Sequence, residues 1–190
     1  MKKLKRKKDS SCTAFLFAGF GGQGIMFMGK LLVEAGLLSG KHVTWMPSYG
    51  AEVRGGTAYS MAKISDKEIA SPVVTNPDVL VAMNKPSLIK YKGRLKDGGI
   101  LISNKSLIDT PPKKRKEASI IHLPLTEMAS KLGDTKCANM IAVGAMLKRT
   151  KLLSMKSAVA ALKEMLKGKA PLFLLNKKAL EKGYKAVASC

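Results

Sequence analysis

The sequence predicts an α/β fold in three layers: a mostly parallel sheet with helices on both faces and a Rossmann-like glycine turn after the first strand. Three observations carry this. Short apolar or β-branched runs alternate with longer stretches of helical period. The run Ala14 to Ala18 passes directly into Gly19-Phe20-Gly21-Gly22-Gln23-Gly24, and a helical pattern opens at Ile25. Hydrophobic residues make up 46% of the 190 positions, enough for one domain with a sizeable core.

The elements follow in order. Strands are expected at Thr13 to Ala18, Lys41 to Trp45, Thr57 to Ile64, Val79 to Met83, Gly99 to Ser103 and Ser119 to Pro124. Helices are expected at Ile25 to Ser39, Lys85 to Tyr91, Thr126 to Leu132, Lys136 to Lys148, Ser154 to Leu166 and Asn176 to Ala188. The first helix carries Ile25, Met28, Leu31, Leu32 and Ala35 at i, i+3, i+4 spacing, a stripe that faces a core. Alternation at Ala58, Ser60, Ala62 and Ile64 allows an antiparallel excursion in the third strand. Pro111-Pro112-Lys113-Lys114-Arg115-Lys116 reads as a surface loop and needs no domain boundary. The expected organisation is a basic flexible tail over 1–12 and a single α/β domain over 13–190.

No apolar run approaches the roughly 20 residues that span a bilayer. The basic start is followed by too short an apolar stretch for a secretory signal. The three cysteines, Cys12, Cys137 and Cys190, stand far apart with no C-x-x-C, so no cluster or zinc spacing exists. A reduced, cytoplasmic setting fits, and no metal ligands or catalytic residues are assigned. The formal charge of +21 raises nucleic-acid binding as a rival function. No nucleic-acid-binding motif accompanies it, and aromatics for base stacking stand at 5%. Solvated lysine faces biased toward anionic partners explain the charge better.

Two glycine segments concentrate the candidate chemistry. In the first, Gly19, Gly21 and Gly24 fit G-x-G-x-x-G, whose free backbone N–H groups cradle phosphates. Glycines at such a turn also serve tight packing of helix on strand, and both readings stand. A stand-alone dinucleotide enzyme would place a carboxylate about 20 residues on, at the end of the second strand. That window holds His42 to Met46, and Glu52 comes too late. The second segment, Tyr49-Gly50-Ala51-Glu52-Val53-Arg54-Gly55-Gly56, offers the Arg54 guanidinium to a phosphate or carboxylate. Its alternative is an ion pair with Glu52 or Asp78. Asn139 is a candidate for either a helix–helix hydrogen bond or a ligand contact, and His42 and His122 read as packing or surface residues.

Together these segments resemble a family. Gly-Phe-Gly-Gly-Gln-Gly-Ile and Pro47 to Thr57 are joined by Ser71-Pro72-Val73-Val74, Pro77-Asp78, Ala82 to Leu88 and Gly98 to Ile102. Ala138-Asn139-Met140, Val143-Gly144-Ala145 and Glu181-Lys182-Gly183-Tyr184 follow in the same order. From residue 13 to 186 the chain is similar to the gamma subunit of 2-oxoacid:ferredoxin oxidoreductases, of the 2-oxoglutarate or 2-oxoisovalerate type, in the pyruvate ferredoxin/flavodoxin oxidoreductase family. The resemblance implies coenzyme A-dependent oxidative decarboxylation of a 2-oxoacid to acyl-CoA and CO2, with ferredoxin reduced. It implies alpha and beta partners holding thiamine diphosphate and iron–sulfur clusters, with a ferredoxin-like delta subunit as a further candidate. This chain alone would be inactive and would hold no cofactor. Coenzyme A is its candidate ligand, and the implied contacts are Gly21, Gly22, Gln23, Gly24, Arg54, Gly55 and Gly56. The single-chain pyruvate enzymes resemble Gly-Ala-Asp-Gly-Thr where this chain has Gly21 to Ile25, a departure within the first turn.

Overall fold

The computed structural model describes residues 12–48, 57–110 and 117–187. Six strands form one sheet in the order β2-β3-β1-β4-β5-β6. They are β1 (Cys12–Gly19), β2 (His42–Pro47), β3 (Ala58–Ser65), β4 (Val79–Ala82), β5 (Ile100–Asn104) and β6 (Ser119–Leu123). The helices are α1 (Ile25–Leu37), α2 (Lys85–Tyr91), α3 (Leu125–Ser130), α4 (Ala138–Thr150), α5 (Met155–Met165) and α6 (Ala170–Lys185). β1 pairs in parallel with β4, β4 with β5, and β5 with β6. β3 inserts between β1 and β2 and is antiparallel to both, which realises the excursion its alternation allowed.

The central position of β1 explains its continuous apolar sequence. Leu16, Phe17 and Ala18 are fully buried because helices or loops cover both faces. On one face, Phe15, Phe17, Ala62, Ile64, Val81 and Ile102 pack against helices including α1, α4, α5 and α6. On the other, Ala14, Leu16, Leu80 and Leu101 pack against Leu88 and Tyr91 of α2 and against Leu95 and Ile108. Burying a phenylalanine of this kind contributes about 1.5–3 kcal/mol. α1 lies close on β3 because Gly29 has no side chain. A Cβ there would meet the Ser60 Oγ at 2.2 Å, the same hydroxyl that accepts a 2.8 Å bond from Trp45 Nε1.

This topology fixes where a ligand can sit. From β1 the chain leaves through α1 toward β2, on one side of the sheet. The strands that follow β3 add in parallel on the other side of β1. The carboxyl ends of β1 and β4 therefore flank a topological switch point, where open α/β sheets form their crevice.

Candidate functional site

The glycine segment begins at this switch point. Gly19 ends β1, and Gly24 caps the amino end of α1 with φ 69°. Gly22 also takes a left-handed conformation, φ 87°. These signs of φ let six residues reverse direction and enter a helix without strain from a Cβ. The Gln23 side chain closes the turn, its Oε1 accepting from the Phe20 amide at 2.7 Å and from Asn84 Nδ2 at 3.3 Å. Asn84 Oδ1 in turn caps α2, accepting from the Ser87 amide at 2.9 Å. The loops after β1 and β4 are thus tied by one amide pair.

Gly24 is held from the far side of the sequence. Asn139, 6% exposed in the first turn of α4, directs Nδ2 at the Gly24 carbonyl at 3.5 Å. A Cβ on Gly24 would lie 2.0 Å from that nitrogen. Gly22 is the opposite case, since a Cβ there would meet nothing within 4 Å. One glycine of the turn packs inward and the other opens outward.

Two cavities flank the turn. One, about 360 Å³, is lined by Phe20, Gly21, Gly22, Ile25, Phe27 and Ser48, among others. It lies at the amino end of α1, where the cap position is Gly24 and no acidic residue occupies the first turn. Gly24, Ile25, Met26 and Phe27, the first turn of a 13-residue helix, line this space, which puts the positive end of the helix dipole beside it. The other, about 170 Å³, is bounded by Gly22, Gln23, Thr126, Thr135 and Lys136. The arrangement can bind an anionic, partly apolar ligand. It presents amides, hydroxyls, one lysine and two phenyl rings, a set suited to positioning a ligand.

A larger groove, about 990 Å³, lies at the opposite end of the sheet, lined by Ala14, Asp78, Lys96 and Arg149. Three of its charged groups, Asp78, Lys96 and Arg149, are already paired. Asp78 accepts from the Ala14 amide at 2.9 Å and from Lys96 Nζ at 2.8 Å, and Arg149 Nε donates to Ser119 Oγ at 2.9 Å. Size there does not outweigh the carboxyl-end location and the helix terminus of the smaller crevice.

Gly21, Gly22, Gln23 and Gly24 are together at the switch point. Arg54, Gly55 and Gly56 lie outside the described residues, as does Glu52. Asp78, considered as a partner for Arg54, is engaged by Lys96. His42 is exposed on β2, while His122 Nδ1 lies 2.8 Å from Ser103 Oγ. Burial, reinforced by the nearby Lys105 charge, lowers the His122 pKa. Two residues escaped sequence reasoning. Phe20 is 43% exposed between two glycines at the cavity mouth, and Asn84 locks the turn from β4. An aromatic residue flanked by glycines after a strand was the signal available for the first.

Known proteins share this sequence pattern and fold. The ketoisovalerate oxidoreductase subunit VorA of Methanothermobacter marburgensis is 38% identical over 167 residues, covering 87% of this chain and 34% of the relative. The chain therefore spans about a third of the length of the first curated relatives it matches. The gamma subunit of a keto/oxoacid ferredoxin oxidoreductase from Geobacter sulfurreducens superposes with a TM-score of 0.79 at 29% identity, covering 92% of this chain and 97% of that one. The 2-oxoglutarate:ferredoxin oxidoreductase from Magnetococcus marinus, solved with 2-oxoglutarate, coenzyme A and succinyl-CoA bound, shares the fold with a TM-score of 0.84 at 22% identity, over 96% of this chain and 32% of that one. The sequence pattern of one family runs through residues 14–186, nearly the whole described fold, and this chain belongs to that family, the pyruvate ferredoxin/flavodoxin oxidoreductases.

Proposed function

We propose that this chain is the gamma subunit of a 2-oxoacid:ferredoxin oxidoreductase. There it contributes to coenzyme A-dependent oxidative decarboxylation of 2-oxoglutarate or a branched-chain 2-oxoacid, giving acyl-CoA, CO2 and reduced ferredoxin. The observation that carries the reading is the amino end of α1, which opens beside Gly21 and Gly22 on a cavity of about 360 Å³. A phosphate-bearing ligand fits it: backbone amides and the helix dipole meet the anion, and Ile25, Phe27 and the Phe20 ring meet apolar parts. Coenzyme A carries both kinds of group.

The proposed division of labour follows from the residues. Gly21 and Gly22 approach the ligand. Gln23 and Gly24 hold the turn that shapes the approach, and Asn84 and Asn139 hold those two. Arg54, Gly55 and Gly56 enter on chemistry alone: a guanidinium among small residues grips a phosphate through two parallel bonds. Thiamine diphosphate and iron–sulfur clusters, held by alpha and beta partners and a ferredoxin-like delta subunit, would supply decarboxylation and the electron path to ferredoxin. Among the described residues no helix is long and apolar enough to cross a membrane, and a cytoplasmic enzyme fits the reading.

Reconstitution with the partner subunits tests it. Gly22→Ala puts a methyl group into the open space on the ligand side and forces a positive φ on alanine, a local cost of about 1 kcal/mol. The KM for coenzyme A should rise about tenfold, equivalent to ~1.4 kcal/mol, while the KM for the 2-oxoacid and the thermal midpoint move little. An unchanged KM for coenzyme A with a lowered midpoint would make the turn a packing device. Arg54→Lys keeps the charge and loses the fork, so it too should weaken coenzyme A use or assembly. Parental kinetics and assembly in both Arg54→Lys and Arg54→Ala would remove Arg54 from the site.

A further inference from the structure

We propose that the amino-terminal half of α6 is a plug that inserts into an acidic-rimmed apolar socket on another subunit of the enzyme. The inference rests on the subunit reading above and adds a surface to it. α6 begins Ala170-Pro171-Leu172-Phe173-Leu174-Leu175, four large apolar residues in succession. At about 100° per residue they point to four different sectors around the helix. Phe173 and Leu175 reach the core, but Leu172 stays 41% exposed and Leu174 55% exposed. Leu172 continues the stripe Asn176, Ala179, Leu180 and Gly183, all buried, so its exposure means that this end of α6 overhangs the body.

Phe173 and Leu175 take their cover from the body, so two separate apolar faces, Leu172 and Leu174, remain to be covered. A flat surface could cover Leu172 or Leu174 but not both, because residues two apart stand roughly 200° apart around a helix. End-on entry into a lipid bilayer would carry Lys167 and Lys169, at the apex of the α5–α6 connection, into hydrocarbon. A protein socket satisfies both constraints. Its rim should be acidic. Residues 151–187 hold nine lysines and two glutamates, and the one ion pair described among them joins Lys177 to Glu181 at 3.9 Å. Lys163 in the last turn of α5, Lys167 and Lys169 in the connection, and Lys178 one turn beyond Leu174 are all exposed. A second copy of a chain with formal charge +21 would bring like charge to that rim.

The test uses purified alpha and beta subunits, immobilised together, with the full gamma chain as analyte at low and high salt. Leu172→Ser with Leu174→Ser removes the plug and keeps the charge; Lys167→Glu with Lys169→Glu does the reverse. Each pair should raise Kd about tenfold or more, the second pair chiefly at low salt. The melting temperature of the free chain should stay near that of the parent, since the replaced side chains are largely exposed. Parental Kd in both variants overturns the plug while leaving the subunit reading intact. Failure of the parent chain to bind at all overturns the subunit reading and the plug with it. Loss of binding by the parent chain to vesicles of phosphatidylcholine and phosphatidylserine when the leucines are replaced, without change in subunit binding, would make the surface a lipid contact and overturn the proposal.

Discussion

Gly24 and Asn139, 115 positions apart, form the contact on which the first turn rests. Gly24→Ala meets two penalties, a left-handed φ of 69° and a Cβ 2.0 Å from Asn139 Nδ2. Together they should cost about 2 kcal/mol, or roughly 4–8 °C in Tm for a chain of this size. Asn139→Ala removes the obstructing amide, so the double variant should lose clearly less than the two single losses combined. Additivity within about 0.5 kcal/mol would show that the two do not touch. His122 supplies a pH prediction. Its pKa is lowered from the ordinary 6.5 by burial and by Lys105. Above 6.5 both folded and unfolded states hold it neutral. As pH falls below 6.5 the unfolded chain takes up the proton first, so stability declines until the folded pKa is reached. The urea midpoint should therefore fall less between pH 7.5 and pH 5 in His122→Gln than in the parent; identical profiles would dismiss the effect. At this scale the sequence was half readable. It marked the glycines and Asn139 but not the direction of the Gln23 side chain, which depends on the positive φ of Gly22 and Gly24 on either side of it.

The packing of α4 on α6 turns on two helical glycines. A Cβ on Gly144 would lie 2.0 Å from the Leu180 carbonyl oxygen, and one on Gly183 would lie 1.9 Å from that of Ile141. Both obstacles are backbone, which cannot rotate aside. In an exposed helix, Gly→Ala stabilises by about 1 kcal/mol. Here the sign should reverse: Gly144→Ala and Gly183→Ala should each destabilise by about 2–4 kcal/mol as the helices are forced apart. Thermal midpoints at or above the parent's would show that this crossing is loose. These glycines also show how far the elements were legible. Strand and helix periods located every element to within a few residues except α6, which begins at Ala170 and not at Asn176. Pro171 sits in its first turn, where a missing N–H costs nothing. The apolar run behind it has no helical period because Leu172 and Leu174 are exposed on the overhang. The sheet order was beyond reach, since the insertion of β3 between β1 and β2 depends on contacts that local pattern does not encode.

At the scale of the whole molecule, the described residues shape a crevice at the switch point and tight scaffolding around it. The groups that line the two cavities there are amides, hydroxyls, a lysine and two phenyl rings. Cys137 is buried before α4, and burial together with the adjacent Asp134 charge raises its thiol pKa, so it is a poor thiolate. No three of the described His, Cys, Asp and Glu side chains converge as a metal site would require. Binding that is realised equally in ground and transition states lowers KM without raising kcat, so under the proposed function this chain would depend on a reactive centre held by its partners. The purified chain should therefore fold and melt cooperatively, lack the brown absorbance of iron–sulfur clusters, and give no 2-oxoacid-dependent reduction of a viologen dye. Adding alpha and beta partners should restore reduction, and leaving out this chain should remove the coenzyme A-dependent part of it. Dye reduction by the isolated chain would overturn the subunit assignment, whereas coenzyme A-dependent turnover by the partners alone would leave the crevice without a task in the reaction.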